Sequence, residues 1–145
     1  MKIRPILLDQ DIQSVTNLTD QLGYPSSQID LYQRLKNIHQ EPNYHTFVVE
    51  YSGQVIAYTG FIQLKTWEFE GDFLRIQVFV VDKSFRGQGI GKLLLKAVED
   101  FAKQHQISRI LLNSSNREER KVAHQFYKNL GFEAKSTGFN KSIEL

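Results

Sequence analysis

The chain predicts an α+β domain: a mixed, mostly antiparallel central sheet of about seven strands with four helices, in the order β-α-α-β-β-β-α-β-α-β-β. Three observations carry this expectation. The apolar period is helical up to about residue 40, becomes that of strands from Tyr44, and turns helical again after Gly89. Ser52-Gly53 and Glu70-Gly71-Asp72 separate strand-like runs, and short reversals of this kind make consecutive strands antiparallel neighbours. Gly87, Gly89 and Gly91 alternate directly ahead of the most regular apolar stripe in the chain.

"KIRPIL" predicts a first strand. Asp9 or Asp11 then caps a helix carrying Ile12, Val15, Leu18 and Leu22, which Gly23 and Pro25 end. "SSQIDLYQRLKNIHQ" predicts a second helix, capped by Ser26 or Ser27, with Leu31, Leu35 and Ile38 on one face. "YHTFVVEY" and "QVIAYTGFIQL" flank Ser52-Gly53 as a hairpin, and a second reversal at residues 70–72 falls between "KTWEF" and "FLRIQVFVV". In that third strand of the meander, simple alternation puts Leu74, Ile76, Val78 and Val80 on one face and Phe73, Arg75, Gln77 and Phe79 on the other. Ile90, Leu94, Ala97, Val98 and Phe101 give the third helix its stripe. "ISRILLN" predicts a strand, "EERKVAHQFYKNLGF" a helix that stops at Gly131, and "FEAKS" and "FNKSIEL" two short closing strands.

Composition narrows the function classes. With 145 residues, 41% of them hydrophobic, and no repeat or linker-like break, a single domain over residues 1–145 is expected. Lys and Arg number 18 against 16 Asp and Glu, a balance of +2 that gives no reason to expect a nucleic-acid surface. The absence of cysteine excludes disulfides, thiolate metal sites and a cysteine nucleophile. His39, His45, His105 and His124 have no mutual metal-ligand spacing, so no metal is expected. No stretch approaches the roughly 20 apolar residues of a membrane span. A cytoplasmic protein without membrane contact is the expectation.

The first N–H groups of a helix lack internal partners and carry the positive end of its dipole. Acidic residues usually offset that charge, yet none occurs from Arg86 to Val98, where Arg86, Lys92 and Lys96 add cations instead. An external anion at the glycines accounts for this pattern, because glycine lets main-chain N–H groups approach phosphate oxygens closely. A tight strand-to-helix turn is the plainer alternative. A Walker loop is excluded, since Leu93 follows Gly91-Lys92 where Ser or Thr is required, and the dinucleotide fingerprint fails because Lys92 stands where its third glycine belongs.

Arg86-Gly87-Gln88-Gly89-Ile90-Gly91 does fill the pattern Arg/Gln-x-x-Gly-x-Gly/Ala. Together with "FVVDKSFRGQGIGKLLL", "AHQFYKNLGF" at residues 123–132 and the element order, the chain resembles the GNAT superfamily of acetyl-CoA-dependent N-acetyltransferases. "LTDQLGYP" is similar to a subgroup of small bacterial members. The resemblance implies a GNAT fold and a cosubstrate, acetyl-CoA, bound without metal. Main-chain groups of Phe79, Val80 and Val81 would meet its pantetheine arm where two strands splay. The amides of Arg86, Gly87, Gln88, Gly89, Ile90, Gly91 and Lys92 would hold its pyrophosphate. Tyr127 would protonate the departing thiolate, a role within reach of a phenol of pKa near 10 facing a thiol near 8.5.

Two positions depart from the family pattern. Arg120 replaces a frequent Asn three residues before Ala123, with Asn113 or Asn116 as candidates to compensate. Arg75 stands where some members place a glutamate base, leaving a water chain, Glu68, Glu70 or Asp72 for that task. Trp67 and Phe69 line an acceptor pocket or bury a sheet edge, and the cations of "NREERK" lie in a solvated loop or meet the ribose phosphate. The expected activity is acetyl transfer to a primary amine of a small molecule or peptide by direct attack in a ternary complex, by a monomer or homodimer. The rival from another class is a non-catalytic acyl-CoA-binding sensor, which Arg75 favours and Tyr127 opposes.

Overall fold

The computed structural model describes residues 1–114 and 120–145 and groups the chain into two compact units, residues 1–112 and 113–145. The first unit holds β1 (Lys2–Pro5), α1 (Leu8–Leu22), α2 (Gln28–Ile38), β2 (Tyr44–Tyr51), β3 (Gln54–Leu64), β4 (Phe73–Val81), a 3-10 turn (Lys83–Phe85), α3 (Ile90–Gln104) and β5 (Ile110–Leu112). The second holds α4 (Lys121–Asn129). Strands lie in the order β1-β2-β3-β4-β5, antiparallel throughout except for the parallel pair of β4 and β5.

Residues 132–136 and 139–145 form no strands, so the described residues contain five rather than about seven. From Glu133 onward every side chain is exposed, Phe139, Ile143 and Leu145 included, and without a face to bury a strand has nothing to offset its ordering entropy. The rest of the expected element order is present. β3 stops at Leu64, leaving residues 65–72 as the loop to β4.

Local chemistry accounts for the element ends. Ser52 and Gly53 both have positive φ, 50° and 76°, as a two-residue hairpin turn of primed type requires. Ser27 caps α2 by accepting the Asp30 N–H at 3.1 Å, and Gly23 ends α1 in the left-handed region. Neither Asp9 nor Asp11 is the cap of α1. That position belongs to Leu7, whose N–H donates to the Asp11 carboxylate at 2.7 Å. Asp11 also takes both terminal nitrogens of Arg4, which in turn reaches Glu50, so one partly buried network ties β1, α1 and β2. Burial alone would raise the Asp11 carboxyl; the Arg4 and Leu7 hydrogen bonds outweigh it and leave the group below its ordinary value.

Helices cover the sheet on both faces. Ile12, Val15 and Leu18 of α1 and Leu31 and Leu35 of α2 pack on Val48, Tyr58 and Val80. On the opposite side Ile90 and Leu94 of α3 meet Val49, Ile56 and Ala57, with Phe79 and Val81 against them. Simple alternation along β4 therefore fails. Gly60 stands opposite Val78, whereas Phe61 stands opposite Ile76, which makes Gln77 the extra residue of a bulge. Beyond it the faces exchange, so Phe79 and Val81 look toward α3 and Val78 and Val80 toward α1 and α2.

His45 at the start of β2 stacks on Phe61, 5.4 Å between centroids, and lies 4.6 Å from the Phe101 ring of α3. Burial holds its imidazole below the ordinary value, and His105 and His39 add repulsion; burial lowers His39 in the same way. A depressed folded pKa means that the unfolded chain takes protons first as pH falls. Stability is then full above the unfolded imidazole value near 6.5, falls below it, and stops falling beneath the folded pKa. Thermal midpoints measured at pH 7.5 and 5.5 are expected to be lower at pH 5.5, with a smaller difference in His45→Phe, which keeps the ring stacking. An unchanged difference in that variant would remove His45 as the cause.

Candidate functional site

The loop joining β4 to α3 has the conformation that its glycines imply. Gly87 and Gly89 are left-handed, φ 78° and 80°, and a Cβ built on either meets nothing within 4 Å. Glycine is thus needed there for backbone geometry, and the space above each residue is open. Gly89 is the N-cap of α3 and supplies no side-chain cap, and the first turn contains no acid. The helical ladder begins with Leu93 N–H donating to the Gly89 carbonyl, so the N–H groups of Ile90, Gly91 and Lys92 precede it at the positive end of the dipole. Arg86, Gly87, Gln88 and Gly89 are exposed, while Ile90 anchors the helix in the core. Such a donor set fits a pyrophosphate.

The loop is held where it leaves the strand. Asp82 accepts the Ser84 N–H at 2.8 Å, and the side-chain amide of Gln21, in the last turn of α1, donates to Asp82 and accepts the Lys83 N–H at 2.9 Å. Arg86 Nε donates to the Val81 carbonyl at 3.2 Å.

β4 has two different edges. Its parallel ladder with β5 covers Leu74 to Ile76 only, and the strand then runs on to Val81. Asp82 N–H donates to the Ile56 carbonyl, which makes Ile56 and Asp82 a hydrogen-bonded pair; alternation makes Tyr58 and Val80 another. Phe79 and Val81, in the intervening pairs, therefore direct their N–H and C=O groups away from β3, toward the side on which β5 has ended. Val80 directs its own toward β3.

Within the second unit Tyr127 lies on α4, buried, with the rings of Phe126 and Phe132 at 5.5 and 5.8 Å in edge-on contact. Burial raises its phenol above the ordinary value, and Arg120 counters through its charge and a hydrogen bond. The phenol is consequently protonated at neutral pH, as a proton donor must be. Asn113 directly follows β5 at an exposed position, its amide beside Gly138. Asn116 lies outside the described residues, as does most of "NREERK".

The candidate bases differ among themselves. Asp72 accepts from Gln63 at 2.8 Å and Lys65 at 2.9 Å, which holds it below the ordinary carboxylate value and weakens it as a base. Glu68 accepts from Thr66. Trp67 is fully exposed and buries no edge, while Phe69 packs on Phe73 and beneath the Arg109 guanidinium at 3.8 Å. Arg75 stands between Ile62 of β3 and Leu111 of β5. Among the described residues no group of three or more His, Asp or Glu is placed to hold a metal, and no helix is long and apolar enough to cross a membrane.

The family model for the Acetyltransferase (GNAT) family matches residues 12–132. The chain belongs to the GNAT acetyltransferase family. Solved GNAT structures agree: a GNAT family acetyltransferase from Staphylococcus aureus is 29% identical, with 98% of each chain covered and a TM-score of 0.83. Glucosamine-6-phosphate N-acetyltransferase from Arabidopsis thaliana is 25% identical over 99% of this chain and 98% of that one, TM-score 0.80. An aminoglycoside acetyltransferase from an uncultured soil sample, 18% identical over 99% of this chain and 96% of that one, shares the fold with a TM-score of 0.78. GNAT membership makes this an acyltransferase-type protein, of a family whose enzymes use acetyl-CoA and an acceptor.

Two side chains of this GNAT domain gain partners that their sequence does not announce. Arg120, a departure from the family pattern, proves to be the partner of Tyr127. Gln21 holds the glycine loop from α1, and its signal was its place in "LTDQLGYP", a motif that otherwise had no assigned task.

Proposed function

We propose that the chain, as one GNAT domain over residues 1–145, is a cytoplasmic N-acetyltransferase that moves an acetyl group from acetyl-CoA to a primary amine. The observation that carries this reading is the α3 terminus: an uncapped helix end, left-handed Gly87 and Gly89 with open space above them, and no acid in the first turn. Main-chain amides from Arg86 to Lys92 hold the pyrophosphate. Phe79 and Val81 offer main-chain groups to the pantetheine arm, with Val80 between them, and Asn113 and Asn116 lie on the segment after β5.

In the reaction the amine nitrogen, once deprotonated, attacks the thioester carbonyl; the new C–N bond forms, the C–S bond breaks, the thiolate takes a proton, and the second proton that the nitrogen sheds in becoming an amide replaces the one the donor gave. Tyr127 supplies that proton, its buried phenol remaining protonated at neutral pH. No covalent enzyme intermediate is needed, in keeping with the absence of cysteine. Because Arg75 cannot accept a proton and Asp72 is held below its usual range, water relays the amine proton to solvent or to Glu68 or Glu70.

Thiol release from acetyl-CoA, measured against amino acids, polyamines, aminoglycosides and short peptides, tests the reading. Acceptor-dependent release is expected. Binding of acetyl-CoA with no release for any amine would favour the acyl-CoA sensor that Arg75 suggests.

A further inference from the structure

We propose that Thr59 and Gly60 of β3 form a seat for the bulge of β4, and that this seat sets which main-chain groups face the pantetheine arm of the acyl donor. The inference rests on the donor site assigned above.

Two independent contacts converge on Val78, the residue after the extra one. Thr59 is completely buried, and its hydroxyl donates to the Val78 carbonyl at 2.8 Å. Gly60 leaves room for the Val78 side chain: a Cβ there would stand 2.8 Å from Val78 Cγ1, closer than real Cβ contacts come. Gly60 is not among the residues of positive φ, so glycine at this position answers to space and not to conformation. One residue of the seat therefore holds the bulge by a directed bond, and the other admits it by lacking a side chain.

The bulge decides the site because side-chain and main-chain directions alternate along a strand. With Gln77 looped out, Phe79 stands opposite Thr59, and Phe79 and Val81 turn their main-chain groups to the outer edge. Without it, Phe79 would stand opposite Tyr58, the outward groups would belong to Val78 and Val80, and Phe79 and Val81 would lose their places against α3. Val78 and Val80 would likewise leave their places against α1 and α2, so the whole strand beyond Gln77 answers to the bulge. The seat is thus a positioning device for the half of the site that touches the arm, and the glycine loop that holds the pyrophosphate lies beyond it.

The test compares two probes by calorimetry: acetyl-CoA, and the nucleotide half of the coenzyme, adenosine 3′-phosphate 5′-diphosphate, which lacks the arm. Thr59→Val keeps the shape and removes the hydroxyl; Gly60→Ala adds the methyl that meets Val78. Each is expected to raise the Kd for acetyl-CoA about tenfold while changing that for the nucleotide less than about twofold. Thr59→Ser restores the hydroxyl and is expected to bind acetyl-CoA as wild type does. Gly60→Ala combined with Val78→Ala removes the collision, and recovers most of the loss. Unchanged acetyl-CoA affinity in both single variants, an equal loss for the two probes, or a double variant no better than Gly60→Ala would overturn the seat. A wild-type protein that binds neither probe would instead remove the donor site, and the inference with it.

Discussion

Gly89→Val is expected to weaken acetyl-CoA binding by about a hundredfold or more while leaving the fold intact. The residue caps α3 at φ 80°, a region that a β-branched side chain enters only under strain of about 1–3 kcal/mol. The protein itself offers no steric objection, because nothing lies within 4 Å of the Cβ position. What the new side chain occupies is the open space through which the proposed anion would approach the amides of Ile90, Gly91 and Lys92. Gly89→Ala, strained but smaller, is expected to fall between wild type and Val. Calorimetric titration with acetyl-CoA, alongside circular dichroism to verify the helices, measures the effect. Wild-type affinity in a folded Val variant would end the case for an anion at this helix terminus.

Tyr127→Phe is expected to lower turnover by about a hundredfold with acetyl-CoA affinity within about threefold of wild type. The variant ring fits the same space between Phe126 and Phe132, so the change is confined to one hydroxyl and its hydrogen bond with Arg120. Without its proton the thiolate leaves less readily, an effect felt in the transition state and not in the bound ground state. The two variants together separate the roles: loss of affinity from the glycine loop, loss of rate from the tyrosine. Unchanged turnover with an identified acceptor would show that Tyr127 is an aromatic packing residue and that another group, or water, supplies the proton.

Much of this architecture was legible in the sequence because it depends on local chemistry. Ser52-Gly53 and Gly131 act through their own backbone angles, and the α3 stripe from Ile90 to Phe101 follows from helical geometry. The glycine loop could be read for the same reason: both its conformation and its missing acid are properties of neighbouring residues. The bulge at Gln77 could not, since it exists only in the register between β3 and β4, and alternation alone assigned Phe79 to the wrong face. Asp11 resembles a helix cap, but Arg4 on β1 and, through it, Glu50 on β2 make it part of a partly buried ion network. "FEAKS" and "FNKSIEL" carry short apolar patterns that suit strands, but in the described structure those segments bury no face. For the site, residue types were recognisable, whereas the partnerships of Gln21 with Lys83 and of Arg120 with Tyr127 were not.

The pairing of β4 with β5 also bears on how the domain assembles. β2, β3 and β4 join neighbours through short reversals, so their ladders close small loops of chain; Leu74 and Ile110 meet only after the whole of α3 intervenes. Loop closure of that length is entropically later, and the parallel ladder, three residue pairs long, has few hydrogen bonds to hold it. Native-state hydrogen exchange is expected to find the slowest amides in β2 and β3 and faster exchange in β5. The edge proposed for the acyl donor would then be the last part of the sheet to form and the first to open, and a coenzyme bound there, by favouring the closed form, would complete the folding of its own site.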